Sequence, residues 1–160
     1  MDSEKAIYNS PIGSMAVSIK NDKVFKIEFL DEIQEADKPI TTPMRFLFNE
    51  LDEYFSGNLR DFKSELAPVG SDFEMKVWEE LKNIPYAQTR SYKEIAIKLG
   101  DKNSVRAVGG ANGRNSIPLL IPCHRVIGEN GSLTGFTGGL KRKSWLLEHE
   151  GAIAEQLRLF

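Results

Sequence analysis

Residues 91–113 read SYKEIAIKLGDKNSVRAVGGANG, and this stretch decides the fold of the second half of the chain. It opens with a capping box, in which the side chains of Ser91 and Glu94 bond backbone N–H groups at a helix start. Apolar residues then recur at helical spacing as far as Gly100, a typical residue at a helix end. After a short polar turn, residues 104–113 are suited to a second helix. The pattern predicts a helix-turn-helix inside the C-terminal half.

One face of the second predicted helix carries almost no side chains. Its members follow one another at i, i+3, i+4 and i+7: Arg106, Gly109, Gly110 and Gly113. Interior glycines cost a helix roughly 1 kcal/mol each relative to Ala, so local stability does not explain them. Close helix packing is one explanation and contact with nucleic acid is the other. A lone Arg on a glycine face favours a groove lined by phosphates and sugars, and we add the flanking Ser104 and Arg114 to the candidate DNA contacts.

Charge is distributed unevenly along the chain. The whole chain holds 21 Lys and Arg against 23 Asp and Glu, a net charge of −2. Residues 1–70 hold 8 basic and 13 acidic residues, net −5, whereas residues 82–125 hold 8 and 2, net +6. A solvated charged face is the ordinary explanation for such a segment. Because the basic segment contains the predicted helix-turn-helix, it is also the part of the chain suited to a polyanion.

The N-terminal half has a different pattern. Residues 15–29 alternate between apolar and polar, with the turn formers Asn21, Asp22 and Lys23 in the middle, which predicts a β-hairpin. Residues 31–43 are polar and predicted as a loop. Apolar residues at helical spacing over 44–55 then predict a helix that covers the hairpin.

The domain boundary is predicted near residue 70. Pro68 and Gly70 interrupt the pattern, and a second capping box, Ser71 with Glu74, starts a new helix directly afterwards. We therefore expect an α/β domain over residues 1–70 and a mostly helical domain over residues 71–160.

The composition excludes several classes of protein. The chain holds one Cys and two His, too few for a disulfide framework or for the four ligands of a structural zinc site, so no metal site is expected. No apolar run is long enough to span a bilayer, and residues 1–5 are polar where a secretory signal would be basic and then apolar. We expect a cytoplasmic protein, nuclear in a eukaryote, with no membrane partner.

The single Cys lies in the stretch IPLLIPCHRVI, residues 117–127. A lone Cys is usually an inert core residue, because only a thiolate is a good nucleophile. Here the neighbours His124 and Arg125 favour the thiolate of Cys123. Neighbours in an extended chain point to opposite faces, so we expect a bridging water rather than a direct bond between Cys123 and His124.

Together these segments resemble the methylated-DNA–protein-cysteine methyltransferases, the O6-alkylguanine-DNA alkyltransferase repair proteins. The resemblance rests on an ordered set of motifs: PCHRV at 122–126, RAVGGA at 106–111 with Asn115, IPY at 84–86, TRSY at 89–92, GGL at 138–140 and HEG at 149–151. Two weaker features, SPIG at 10–13 and YFSG at 54–57, extend it over nearly the whole chain. It implies a small N-terminal α/β domain and a winged-helix-like C-terminal domain that binds DNA from the minor groove.

The resemblance also implies an irreversible, single-turnover reaction without a cofactor. Cys123 would accept the alkyl group of O6-alkylguanine, with O4-alkylthymine as a second candidate substrate. His124 would take the thiol proton through a water, and Glu150 would orient His124. Tyr92 would help to turn the nucleotide out of the duplex and protonate the leaving base.

Further residues would form the substrate site by the same resemblance. The carbonyls of Cys123 and Val126 would recognise the guanine amine, and Thr137 would donate a hydrogen bond to O6. Pro118 and Phe136 would line the pocket. Three positions depart from the common pattern of the family: Phe136 replaces Tyr, Thr137 replaces Ser and Ser116 replaces Pro.

Three remaining residues would act on the DNA or on the protein itself. Arg106 would enter the base stack and fill the gap left by the flipped guanine. Asn115 would brace the turn before the active-site segment, and Arg125 would support its own loop. Each carried-over residue also has an ordinary explanation, such as helix capping for Glu150 or core packing for Tyr92.

Three functions compete at this stage. The first is single-turnover repair of alkylated double-stranded DNA by a monomer. The second is a helix-turn-helix regulator or lesion sensor whose Cys is unreactive. The third is a cysteine hydrolase that uses Cys123 and His124 and turns over repeatedly.

Overall fold

The structure is a computed structural model that describes residues 3–153. The chain divides between Val69 and Gly70 into two units, each with its own core. The first unit combines a small sheet with one long helix, and the second is mostly helical. This is the α/β class that the sequence predicts.

The first unit contains a three-stranded antiparallel sheet in the order β1-β2-β3, with strands at Ser3–Ser10, Gly13–Lys20 and Lys23–Phe29. The hairpin β2–β3 is as predicted, except that its turn is only Asn21 and Asp22, whose φ angles of 51° and 66° suit a tight two-residue turn. Lys23 already belongs to β3. The strand β1 was not predicted from the sequence, because only Ala6 and Tyr8 of its side chains are buried.

The helix α1, Thr42–Phe55, packs on this sheet. Thr41 caps its N-terminus, accepting a hydrogen bond from the backbone of Met44. Tyr8 of β1 donates to Asp52 of α1 at 2.6 Å and lies edge-on to Phe48. The helix buries an apolar face made of Met44, Leu47, Leu51 and Tyr54. The predicted covering helix is therefore present at the predicted position.

The second unit contains the helices α2 (Asp72–Leu81), α3 (Tyr92–Lys98), α4 (Val105–Gly113) and α5 (Leu140–His149). Both predicted capping boxes form, at Ser71 with Glu74 and at Ser91 with Glu94. The helices α3 and α4 are joined by a short 3-10 turn, Lys102–Ser104, as a helix-turn-helix requires. No helix in residues 3–153 is both long enough and apolar enough to cross a membrane.

The helix α4 packs against both α2 and α3. Trp78 of α2 is buried and donates its indole N–H to the carbonyl of Ala111 at 2.8 Å. Val108 and Ala111 face the core, whereas Arg106 is exposed. This packing fixes which side of α4 is free for a partner.

The sequence analysis assumed that the segment around Cys123 is extended, and this assumption was wrong. Residues Cys123–Arg125 form one 3-10 turn that leads into a two-residue strand β5, Val126–Ile127. This strand pairs in parallel with β4, Arg90–Ser91, directly before α3. The pairing was not predicted, and it brings the Cys123 turn beside the start of the helix-turn-helix.

Candidate active site

Cys123 is completely buried. Its backbone N–H donates to the carbonyl of Ile121 at 2.7 Å. Asn115 braces the loop before it, donating to the same Ile121 carbonyl at 2.8 Å and accepting from the N–H of Ile117 at 3.0 Å. The nucleophile candidate is therefore placed by a loop that internal hydrogen bonds brace.

The thiol of Cys123 is less acidic than the sequence predicted. Burial raises its pKa to about 11, against a hydrogen bond from the Asn115 side chain and the charge of Lys143. The expectation of a thiolate at neutral pH was wrong for the DNA-free protein, because it considered the neighbouring charges and not the loss of water. In addition, the guanidinium of Arg125 pairs with Glu150 and not with the thiol.

A buried carboxylate joins the two residues that follow Cys123. Glu150, at the C-terminal end of α5, accepts from His124 Nε2 at 2.8 Å and from Arg125 Nε at 2.8 Å and Nη2 at 3.0 Å. A further N–H of Arg125 donates to the carbonyl of Ile84 at 2.8 Å. Burial alone would raise the pKa of Glu150, but the charges and hydrogen bonds of His124 and Arg125 hold it far below its usual range.

His124 is fully buried and its two ring nitrogens differ. Burial lowers its pKa, and the charges of Arg125 and Lys143 act in the same direction, against the hydrogen bond and the charge of Glu150. The neutral ring is therefore favoured. Its Nε2 donates to Glu150, which places the free lone pair on Nδ1. In residues 3–153 Nδ1 has no hydrogen-bond partner, so this nitrogen is available to accept a proton.

Tyr92 and Lys143 form the other side of the site. The Tyr92 hydroxyl donates to the carbonyl of Thr134 at 3.0 Å, and burial raises its pKa. Lys143 of α5 has no exposed surface, and its ammonium donates to the carbonyls of Val126 at 2.5 Å and Thr134 at 2.6 Å. Sequence reasoning missed Lys143, because a Lys in the polar run at residues 141–144 gives no sign of burial.

The residues expected to hold the base differ in how the structure places them. The carbonyl of Cys123 accepts from the N–H of Val126 and, at 3.4 Å, from Asn112, and the carbonyl of Val126 accepts from Lys143. Neither acceptor is therefore free of protein partners, although a carbonyl oxygen has two lone pairs. Pro118 is buried, and the buried Phe136 ring lies edge-on to His124 with centroids 6.5 Å apart, whereas Thr137 is exposed.

The candidate DNA contacts divide into two groups. Arg106 is exposed, and a Cβ at Gly113 would have no neighbour within 4 Å. Gly109 faces Tyr92, and Gly110 lies beneath the guanidinium of Arg114, which pairs with Glu74. Ser104 is partly exposed at the start of α4. A Cβ at Gly110 would first meet the end of the exposed Arg114 side chain, so packing does not account for the small size of Gly110, and an open face remains at Arg106 and Gly113.

A metal site finds no support in the described residues. Within residues 3–153 no group of three or more His, Cys, Asp or Glu side chains is placed to hold a metal ion. The site instead combines one thiol, one His–carboxylate pair, one phenol and one ammonium.

The buried thiol predicts a steep pH dependence of its reactivity. With the pKa of Cys123 near 11, the thiolate fraction at neutral pH is small and rises about tenfold for each pH unit. We expect the rate of Cys123 modification by iodoacetamide, followed by intact mass without DNA, to increase steeply between pH 7 and pH 8. A rate that is already constant above pH 7 would contradict the assignment of a protonated resting thiol.

The two units match two parts of one family. Residues 72–152 match the model described as the DNA binding domain of 6-O-methylguanine DNA methyltransferase, and residues 4–68 match the ribonuclease-like domain of the same family. The methylated-DNA–protein-cysteine methyltransferase of Methanosarcina acetivorans is 42% identical over 156 residues, covering 92% of this chain and 97% of that protein. Its namesake in Mycobacterium bovis is 42% identical over 146 residues, with coverages of 89% and 88%.

Solved structures of proteins with related names also superpose on this chain. The OGT of Mycobacterium tuberculosis in complex with DNA superposes with a TM-score of 0.84 at 38% identity and covers 98% of both chains. The O6-methylguanine-DNA methyltransferase of Pyrococcus kodakaraensis gives a TM-score of 0.67 at 26% identity, over 94% of this chain and 99% of that one. The resemblance inferred from the motifs is thereby confirmed. On the matches to both of its units, the chain belongs to the 6-O-methylguanine DNA methyltransferase family.

Proposed function

We propose that this protein repairs DNA by transferring the alkyl group of O6-alkylguanine to the sulfur of Cys123, once per molecule. The assignment of residues rests on which ring nitrogen of His124 donates a hydrogen bond and which is left to accept a proton. Because Nε2 donates to Glu150, the unpartnered Nδ1 is the basic nitrogen, and His124 directly follows the buried thiol in the chain. A water between Cys123 and His124 would carry the thiol proton to Nδ1.

The reaction is a displacement at the alkyl carbon. The S–H proton of Cys123 passes to His124, the sulfur forms a bond to the alkyl carbon, and the C–O bond to the base breaks. The departing guanine takes up negative charge, which the hydroxyl of Tyr92 relieves by donating its proton or a hydrogen bond. Thr137 supplies a second donor at O6. The product is a thioether, which has no hydrolytic route back to the thiol, so one molecule acts once.

The resting protonation state fits this chemistry. A thiol with a pKa near 11 is a poor nucleophile in the absence of substrate and does not react indiscriminately. When the flipped base fills the pocket, His124 receives the proton as the sulfur attacks. Activation is therefore coupled to the presence of substrate rather than stored as a permanent thiolate.

The target atom requires the base to leave the duplex. An O6-alkyl group lies within a stacked helix that a buried thiol does not reach, and extrusion of the base costs a few kcal/mol. We propose that the open side of α4 lies in the minor groove and that Arg106 occupies the space left by the base. The other candidate contacts would meet the DNA backbone, with Arg114 leaving Glu74 for a phosphate: Ser104, Gly109, Gly110, Gly113 and Arg114. The relative from Mycobacterium tuberculosis was crystallised with DNA.

The remaining assignments follow from the same site. The carbonyls of Cys123 and Val126 would accept from the guanine amine, with Pro118 and Phe136 lining the pocket. Asn115 and Arg125 hold the loop on which Cys123 lies.

We further propose that the two units act as domains separated at residue 70, and that the protein works as a monomer in the cytoplasm, or in the nucleus of a eukaryote.

The experiment is a comparison of the wild type with Cys123→Ala on an O6-methylguanine duplex. The variant should bind the duplex as tightly as the wild type in a gel-shift titration, because Cys123 is buried whereas the proposed DNA contact Arg106 is exposed. It should remove no methyl group. Repeated turnover by the wild type would favour a cysteine hydrolase, and binding without any loss of the free thiol would favour a lesion sensor.

A further inference from the structure

The hydroxyl of Tyr92 makes two hydrogen bonds to one residue of the loop after β5, Thr134. It donates to the backbone carbonyl of Thr134 at 3.0 Å and accepts from the side-chain hydroxyl of Thr134 at 3.3 Å. A Cβ added at Gly135 would lie 3.5 Å from the same phenol oxygen. The loop at residues 134–135 therefore borders the hydroxyl that the proposed reaction uses as a proton donor.

The two hydrogen bonds have opposite consequences for the phenol proton. The carbonyl of Thr134 accepts this proton and holds it in the resting protein. The side-chain hydroxyl of Thr134 instead donates to the phenol oxygen, and a bond of this kind becomes stronger when the oxygen becomes negative. The carbonyl also accepts from Lys143 at 2.6 Å, so it keeps a donor when Tyr92 turns its proton toward a substrate.

The surroundings of Tyr92 oppose the loss of its proton. Burial raises the pKa of Tyr92, and an ionised Cys123 would raise it further, whereas hydrogen bonds from the side chains of Thr134 and Asn112 lower it. The ammonium of Lys143 lies 5.9 Å from the centre of the ring. A phenol that gives up a proton in the same site as a forming thiolate benefits from a donor at its own oxygen.

We propose that Thr134 is a positioning residue for alkyl transfer, whose side-chain hydroxyl stabilises the negative charge that forms on Tyr92 as the phenol protonates the departing base. This inference rests on the proposed function, and Thr134 acts through Tyr92 and not on the substrate. The sequence analysis did not select Thr134, because an exposed Thr in a polar loop carries no local sign of such a role.

The protons balance through the reaction. The thiol proton of Cys123 passes to His124, and the sulfur displaces the base from the alkyl carbon. The O–H bond of Tyr92 breaks as its proton joins the departing guanine, and the phenol oxygen keeps the electron pair. Thr134 donates to that oxygen until solvent returns a proton to Tyr92 and takes one from His124. The hydroxyl of Thr134 is therefore needed for a leaving group that has to be protonated.

The test uses Thr134→Val, which removes the side-chain hydroxyl but keeps the size of the side chain and the backbone carbonyl. Two rates are measured by intact mass near neutral pH: methyl transfer from an O6-methylguanine duplex in a single turnover, and carboxamidomethylation of Cys123 by iodoacetamide. We expect methyl transfer to be slower by about tenfold, the effect of one hydrogen bond to a developing charge. Carboxamidomethylation should stay within about twofold of the wild type, because iodide leaves without a proton.

Further variants assign the effect to the hydroxyl and to Tyr92. Thr134→Ser restores a donor and should recover most of the rate of methyl transfer. The control Ser132→Ala removes an exposed hydroxyl of the same loop and should react like the wild type. Tyr92→Phe should itself slow methyl transfer, and Thr134→Val in that background should cost less than about twofold, because no phenolate forms.

The outcomes separate the two proposals. The role of Thr134 would be overturned if Thr134→Val transferred methyl groups at the wild-type rate, lost the same factor in both reactions, or slowed Tyr92→Phe as much as the wild type. A Thr134→Ser protein as slow as Thr134→Val would overturn it too. If far-UV circular dichroism shows that Thr134→Val is unfolded, Thr134→Ala replaces it in the same comparisons. A wild type that reacts with iodoacetamide but accepts no methyl group from the duplex would instead contradict the proposed function.

Discussion

Replacement of Glu150 by Ala should lower the free energy of unfolding of the second unit by about 3 to 5 kcal/mol, the cost of breaking a buried ion pair by removing one partner. The carboxylate is completely buried and pairs with both His124 and Arg125. Its removal leaves a buried guanidinium whose other described contacts are the carbonyl of Ile84 and the ring of Tyr86. Both tryptophans, Trp78 and Trp145, lie in this unit. Urea unfolding followed by tryptophan fluorescence therefore measures the effect.

Two control variants test whether the loss of stability comes from the buried ion pair. Glu79→Ala removes a carboxylate that pairs with Lys82 at the surface, and it should change stability by less than about 1 kcal/mol. Glu150→Gln keeps the shape of the side chain and should fall between the wild type and Glu150→Ala. Equal stability of Glu150→Ala and Glu79→Ala would contradict the account of the buried pair.

The buried ion pair of Glu150 with His124 and Arg125 also predicts how stability depends on pH. The pKa of Glu150 is depressed in the folded protein, so its contribution is present above the unfolded value of about 4.3 and is lost as the pH falls toward the folded value. The pKa of His124 is lowered as well, so the folded state is further weakened as the pH drops below about 6.5. Glu150→Ala should remove the first of these losses, which a series of urea titrations at decreasing pH would detect.

Replacement of Arg106 by Ala should reduce repair of an O6-methylguanine duplex by about a hundredfold, because an extruded base would lose a support comparable to the few kcal/mol that flipping costs. Reaction with free O6-benzylguanine should stay within about twofold of the wild type, because a free base needs no extrusion. Arg106 is exposed on α4, so its removal should leave the fold intact. Single-turnover rates on the two substrates provide the comparison.

The control for Arg106 is Lys102→Ala. Lys102 is an exposed cation of the same basic segment, and its loss should weaken attraction to DNA slightly for all sequences. Repair by Lys102→Ala should fall by no more than a few fold at moderate salt. If Arg106→Ala lost the same factor with the free base as with the duplex, Arg106 would be acting on the pocket and not on the DNA.

Local signals were sufficient for much of the second unit. The capping boxes at Ser71 and Ser91 mark helix starts through bonds within four residues, and Gly100 with a φ of 95° ends α3 where the sequence placed the end. The hairpin of the first unit follows from alternation and from two residues that tolerate positive φ. Each of these features is decided by neighbours in the chain, which is why one sequence was enough.

Features that depend on distant contacts were not predicted. The strand β1 shows weak alternation, and the pairing of β4 with β5 joins residues 90 and 126, so neither has a local pattern. Lys143 is buried because two carbonyls meet it in space. The pKa of Cys123 depends on the exclusion of water, which a count of neighbouring charges does not include. The order of the motifs was sufficient to identify the family, whereas the pKa values at the site depend on packing in three dimensions.

The most direct test is the intact mass of the protein after exposure to an excess of O6-methylguanine duplex, followed by fragmentation of the Cys123 peptide. The account predicts a mass increase of one CH2 unit per molecule, located on Cys123, with no second methyl group removed from the DNA by the same molecule. An unmodified protein, a methyl group on another residue, or continued loss of methyl groups from the DNA would contradict it.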